Sequence, residues 1–84
     1  RAPVLPAAMT RAAAAIAAGA SVHEVLDKAQ AEVLAGGFDS IDYIALHGAE
    51  DLRAMSTLDR PARLLAAAWI GGIRLIDNIA VDPD

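Results

Sequence analysis

The sequence predicts an α+β fold in which an αα-hairpin packs on a small three-stranded, mainly antiparallel sheet. Two alanine-rich segments repeat apolar residues at helical spacing. Residues 41–46 are rich in β-branched and aromatic side chains and form too short a run for a stable helix. Gly71-Gly72 separates two apolar runs as a two-residue hairpin turn does. With 84 residues, the chain is long enough for one domain, residues 1–84, and too short for two.

The first predicted helix runs from about Pro6 to Ala18. Pro3 and Pro6 suit an opening loop and a first helical turn, and Gly19 suits the end of the helix. Its apolar stripe is predicted to consist of Leu5, Met9, Ala12, Ala13 and Ile16.

The second predicted helix starts at Ser21 and is ended by Gly36-Gly37. Ser21 and Glu24 have the spacing of a capping box, in which each side chain accepts from a free backbone N–H at the helix start. Its buried stripe is predicted to consist of Val22, Leu26, Ala29 and Val33.

The remaining chain is predicted to form the sheet. Residues 41–46 are the first strand, and residues 63–70 and 73–79 are the two arms of the glycine hairpin. A helix is an alternative for the alanine-rich first arm, but the Gly pair and the β-branched second arm favour a strand. Residues 48–55 predict a turn or one short helix with Leu52 and Met55 pointing inward, and Asp59-Arg60-Pro61 predicts a turn.

Composition limits the classes of partner. The net charge is −4 with scattered basic residues, so the sequence lacks the basic patch that nucleic-acid binding needs. No run approaches the ~20 apolar residues of a membrane span. Residues 11–20 could be misread as a signal peptide but fit an amphipathic helix better. The absence of cysteine excludes disulfides, thiolate metal sites and cysteine nucleophiles.

Histidines and paired carboxylates are the first candidates for chemistry. His23 and Asp27 share a helix face, but no second histidine lies at metal-ligand spacing. His47 follows a strand, yet the sequence offers it no partner for base catalysis. Asp39 and Asp42 lie where aspartate is common in turns, and Glu50-Asp51 is typical of a solvated charge pair.

The other nucleophile and phosphate-binding patterns are incomplete. None of the hydroxyl side chains lies in a nucleophile motif, and neither does Lys28, the single lysine. Gly71-Gly72 lacks the Lys-Ser/Thr that follows in a phosphate loop. The sequence therefore assigns no catalytic, cofactor-binding or metal-binding residue to this chain.

The hairpin carries a predicted anchor and two charged candidates for contact with a neighbouring domain. Trp69 is predicted to be a partly buried anchor near the turn, because a lone tryptophan in a small domain usually serves the core or an interface. Arg74 and Asp77 are charged residues in an otherwise apolar strand and need a partner or water. A chain this short buries only about 60% of its unfolded surface, so we expect another domain to cover an apolar face.

The last third of the chain closely resembles the C-terminal end of the pantothenate synthetase (pantoate–β-alanine ligase) family. That family typically closes with Ala-Ala-x-x-Gly-x-x-Arg-Leu-Ile-Asp-Asn, and residues 60–79 here read RPARLLAAAWIGGIRLIDNI. Residues 38–43 and 49–52 look like the strand and turn that precede it. Ile73 departs from the small or polar residue expected there.

The resemblance implies a role within a larger enzyme. The family condenses pantoate with β-alanine, using ATP and Mg²⁺ through a pantoyl-adenylate, in the cytoplasm. Its chemistry lies in an N-terminal Rossmann-like domain whose two motifs, His-x-Gly-His and a Lys-Met-Ser-Lys-Ser-like run, are absent here. This chain would begin beyond the second motif and form the C-terminal lid, with the N-terminal domain as its partner, a homodimer as a further expectation, and no nucleic acid or membrane. Alone it would be inactive and bind neither ATP nor Mg²⁺.

One alternative from another class stays open at this point. The same two-helix, three-strand pattern suits an independent binding or oligomerisation module, since small α+β folds host many functions.

Overall fold

Two helices are followed by three strands, as the sequence predicts. The computed structural model describes residues 4–83, so the opening loop expected around Pro3 lies outside this range. The elements are α1 (Val4–Ala17), α2 (Val22–Ala35), β1 (Ser40–Gly48), β2 (Ala62–Ile70) and β3 (Ile73–Val81). The predicted α+β fold class is confirmed.

Helix α1 begins two residues earlier than expected, at Val4. Pro6 therefore lies in its first turn, where the missing amide proton costs nothing because that group would have no helical acceptor. All residues of the predicted apolar stripe are buried: Leu5, Met9, Ala12, Ala13 and Ile16.

Helix α2 begins at the predicted cap. The Ser21 hydroxyl oxygen accepts from the Glu24 amide at 3.4 Å, which is the first half of the predicted capping box. Gly36 closes the helix with its amide bonded to Glu32. Val22, Ala29 and Val33 are buried as predicted, whereas Leu26 is half-buried.

The sheet is a three-stranded antiparallel meander in the order β1-β2-β3. At the hairpin, Ile70 pairs with Ile73, and the two central residues have φ of 57° at Gly71 and 81° at Gly72. Both angles are left-handed, which glycine adopts without strain and a primed turn requires. The first arm is a strand, so the helix alternative for residues 63–70 is wrong.

Both helices cover the same face of the sheet. Helix α1 packs over β3 and α2 over β1. Alternate residues of the central strand point into the core beneath the helices, and each is at most 1% exposed to solvent: Ala62, Leu64, Ala66 and Ala68. Three of these are alanines, so the helices can approach the sheet closely around the single large side chain of Leu64.

The segment between β1 and β2 contains turns and an isolated bridge between His47 and Ala54. Met55 is buried as predicted, with its amide bonded to Leu46 at 2.8 Å. The inward position predicted for Leu52 is wrong, because Leu52 is 68% exposed and has φ of 60°. The segment turns back along β1 at this residue, and the reversal directs the Leu52 side chain to solvent.

Leu64→Ala tests the importance of the central strand. Leu64 is 0% exposed, so the substitution should lower the unfolding free energy by about 3 kcal/mol through lost burial and a residual cavity. Urea unfolding followed by circular dichroism measures the change. Leu34→Ala is the matched control, since Leu34 is 47% exposed and should change stability by less than about 0.5 kcal/mol. Equal losses in the two variants would contradict this account of the core.

Candidate functional site

Within residues 4–83, one face of the sheet has no helix over it. Strand register assigns to this open face the residues that alternate with the core residues. We call the following set the open face: Asp42, Tyr43, Ala45, His47, Arg63, Leu65, Ala67, Trp69, Arg74, Ile76, Asn78 and Ala80.

A β-bulge places an extra side chain on the open face. Ile41 pairs with Ala68 and Tyr43 pairs with Ala67, so Asp42 is the additional residue between them. The bulge keeps Ile41 packed against the core while Asp42 and Tyr43 lie on the opposite side. Bulges of this kind redirect side chains and recur near functional sites.

Asp42 joins the three strands through two charge-assisted contacts. Its Oδ2 accepts from the Arg74 Nε at 2.9 Å and from the Trp69 indole Nε1 at 3.2 Å. The two charged side chains are 39% and 40% exposed. Trp69 is 37% exposed, and its N–H has a partner, as a mostly covered indole needs.

Asp39 fixes the hairpin turn instead of taking part in a reactive pair. Its Oδ2 accepts from the Gly71 amide at 2.9 Å, and its own amide donates to the Trp69 carbonyl at 2.8 Å. Both carboxylates considered for acid–base chemistry, Asp39 and Asp42, therefore have structural partners.

A second arginine on the open face has a neutral partner. The Arg63 guanidinium donates to the Asn78 amide oxygen, with the Nε at 2.9 Å. Within residues 4–83, no carboxylate lies within 4.0 Å of this guanidinium. Its positive charge is oriented by Asn78 and not neutralised locally.

The carboxylate of Asp51 organises the loop that follows β1. It accepts from the Arg53 amide at 3.0 Å and from the Arg60 Nη2 at 3.0 Å. The Arg53 hydrogen bond first, and then the Arg60 charge, hold the pKa of Asp51 below its ordinary value of 3.8. A Cβ at Gly48 would overlap the Asp51 carboxylate, so a larger residue there would displace this side chain.

The two histidines occupy different settings. The His47 Nδ1 lies 2.9 Å from the Leu52 carbonyl oxygen, so this nitrogen is held by the loop backbone. The His23 Nε2 lies 3.3 Å from the Asp27 Oδ2 on an exposed helix face. In the described part of the chain, no three His, Asp or Glu side chains converge as metal ligands.

Arg74 and Asp77 lie on opposite faces of β3. Arg74 is paired with Asp42, as the sequence requires of a charge in an apolar strand. Asp77 is half-buried on the helix side, where its Oδ1 accepts from the Asn78 amide at 2.8 Å. The sequence did not indicate that Arg63 joins this surface, and only the alternation along β2 could have suggested it.

Comparison with known proteins identifies the family. A family model described as pantoate-beta-alanine ligase matches residues 1–80. The chain belongs to the pantoate–β-alanine ligase family.

Individual members of this family share sequence and fold with the chain. It is 52% identical over 80 residues to a pantothenate synthetase of Chelativorans sp. and 53% identical over 79 residues to that of Rhizorhabdus wittichii. These matches cover 95% and 94% of this chain. A crystal structure of pantothenate synthetase from Thermus thermophilus superposes with a TM-score of 0.82 at 32% identity, over 96% of this chain.

The match is to one part of these ligases. The chain spans 28% of both relatives and 29% of the Thermus structure. These matches favour a segment of a pantoate–β-alanine ligase over the alternative of an independent binding module. In the described range, neither helix is long and apolar enough to cross a bilayer.

A double-mutant cycle tests the network around Asp42. Asp42→Ala and Arg74→Ala should show a coupling of about 0.5 kcal/mol in unfolding free energy, the value usual for an ion pair this exposed. The coupling should fall as salt is raised from about 0.05 M to about 1 M, because salt screens exposed charges. Asp42→Ala should also shift Trp69 fluorescence. Additive stability changes with no fluorescence shift would contradict the network.

Asp51→Asn tests the effect of the loop carboxylate on stability. A carboxylate with a lowered folded-state pKa stabilises the fold above its unfolded pKa, and that contribution disappears as the pH falls through the folded value. The difference in unfolding free energy between wild type and Asp51→Asn should be constant above about pH 5 and shrink below about pH 4. Urea unfolding across this range measures it, with Glu50→Gln as the neighbouring control. A difference that persists unchanged at low pH would rule out this role of Asp51.

Proposed function

We propose that this chain is the C-terminal lid domain of a pantoate–β-alanine ligase and that it contributes cover, not reactive groups, to the reaction. The observation that carries the proposal is the match of 95% of this chain to only 28% of a pantothenate synthetase. A segment of that size can be one domain of a larger enzyme.

The side-chain arrangement supports a covering role. The carboxylates Asp39, Asp42 and Asp51 are bonded to backbone, arginine or tryptophan groups of this domain. The His47 ring nitrogen is held by a loop carbonyl. Covalent chemistry would need a nucleophile with a base within hydrogen-bond reach. The three carboxylates and His47 instead make hydrogen bonds that stabilise the fold of this domain.

The reaction assigned to the full enzyme needs protection from water. Pantoate reacts with ATP to give pantoyl-adenylate and pyrophosphate, and β-alanine then attacks the acyl carbon and releases AMP. An acyl-adenylate is prone to hydrolysis, so a closing domain that excludes water protects the intermediate and completes the site. We assign the binding of ATP, Mg²⁺, pantoate and β-alanine to the rest of the ligase, with the N-terminal domain as this domain's partner.

The cellular setting follows from the same proposal. An ATP-consuming biosynthetic reaction requires the compartment that holds ATP, so we infer a cytoplasmic enzyme. A homodimer of the full-length ligase stays a prediction, which sedimentation of that protein tests.

The proposal predicts that the full-length ligase is active and that the isolated chain is inactive. The full-length ligase that contains this segment should release pyrophosphate from ATP only when pantoate is present, and should release AMP and form pantothenate only when β-alanine is added as well. The 84-residue chain at the same concentration should release no AMP above the rate without protein. AMP release by the isolated chain, or none by the full-length protein, would overturn the proposal.

A further inference from the structure

The open face carries an apolar row that neither helix of residues 4–83 covers. Tyr43, Ala67 and Ile76 lie side by side across the three strands. Tyr43 is 41% exposed and Ile76 is 66% exposed, whereas Ala67 between them is 0% exposed. Together with Trp69 in the next row, this gives the aromatic and aliphatic centre that docking surfaces typically have.

We propose that the open face is the surface through which this domain docks on the catalytic part of the same ligase. This inference rests on the proposed function and adds which side of the domain meets its partner. The helices lie on the opposite side and are turned away from the reaction.

The area of the open face favours a partner in the same polypeptide. Nine-residue strands are about 30 Å long and three strands are about 14 Å wide, which gives a face of roughly 400 Å². A stable association between separate proteins typically buries about 800 Å² on each partner. Interfaces between domains of one chain start near roughly 300 Å² per side, because the covalent link supplies a high effective concentration.

The rest of the polypeptide in the longer relatives is such a partner. This chain spans 28% of the relatives that it matches, so most of a family member's polypeptide lies outside the segment. This remaining part of the same polypeptide is therefore the candidate that covers the apolar row.

The charges on the open face indicate the chemistry of that occupant. The Arg74 charge is balanced by Asp42, whereas Arg63 has the neutral partner Asn78. The face is therefore positive in a chain whose net charge is −4, and it fits a surface that carries acidic side chains or a bound anionic substrate. A second copy of this domain fits poorly, because a symmetric pair would place the same positive face against itself.

The test uses the full-length ligase with one substitution on the open face and a matched one elsewhere. Ile76→Arg introduces a bulky charge into the apolar row, and Leu34→Arg does the same on the outer surface of α2, where Leu34 is 47% exposed. Ile76→Arg should lower kcat/KM for pantothenate formation about tenfold, the usual effect of losing a central interface contact. Leu34→Arg should stay within about twofold of wild type, as expected outside an interface. Unchanged thermal midpoints and circular dichroism identify both variants as folded.

Hydroxyl-radical footprinting of the wild-type ligase gives a second readout that needs no variant. Adding ATP and pantoate should reduce oxidation of Tyr43, Trp69 and Ile76 about threefold or more, since docked side chains lose access to solvent. Oxidation of Leu34 should not change. The footprinting is repeated at two protein concentrations, and the molecular mass of the ligase in solution is measured at each. Together these results distinguish docking within one chain from pairing of two copies.

The outcomes distinguish this inference from the proposed function. If wild-type ligase forms no pantothenate, the proposed function fails. If it is active but Ile76→Arg behaves like Leu34→Arg and the three open-face residues gain no protection, the docking face is wrong while the ligase assignment stands. Protection that appears only at high protein concentration, together with a dimer that Ile76→Arg dissociates, would identify a second copy as the occupant and overturn the inference.

Discussion

The structure depends on the one-sided burial of strand β2. On the helix side, Ala62, Leu64, Ala66 and Ala68 are almost fully buried and allow two alanine-rich helices to lie close to the sheet. Burying these apolar surfaces provides the main stabilisation available to so small a chain. Because both helices pack on this side, the open face, which includes Asp42, Tyr43 and Trp69, has no helix over it within residues 4–83.

The exposed side is held together by polar contacts between strands and not by a second layer. Asp42 links β1 to Trp69 on β2 and to Arg74 on β3. Arg63 and Asn78 make a further connection between β2 and β3. Each such contact at a solvated surface contributes modestly, but together they connect side chains of all three strands.

Most of the fold could be predicted from local sequence signals. The helix stripes, the Ser21 cap and the Gly71-Gly72 turn are each specified by neighbouring residues, so they need no knowledge of the tertiary structure. The position of Leu52 could not be predicted, since its exposure depends on how the following loop turns back on β1. The roles of Asp42 and Arg63 were also hidden, because their partners Trp69, Arg74 and Asn78 lie 15 to 32 positions away. The family could be predicted because the residues from Arg60 to Ile79 resemble the end of its chains.

The bulge at Asp42 has a consequence for how chain length varies among homologues. Ile41 and Tyr43 already face consecutive residues of β2, Ala68 and Ala67. A homologue that lacks the residue equivalent to Asp42 would simply have an uninterrupted ladder, with every core side chain keeping its neighbours. One-residue gaps at this point of β1 are therefore compatible with the same architecture, whereas a gap elsewhere in the strand would invert the orientation of all side chains on one side of it.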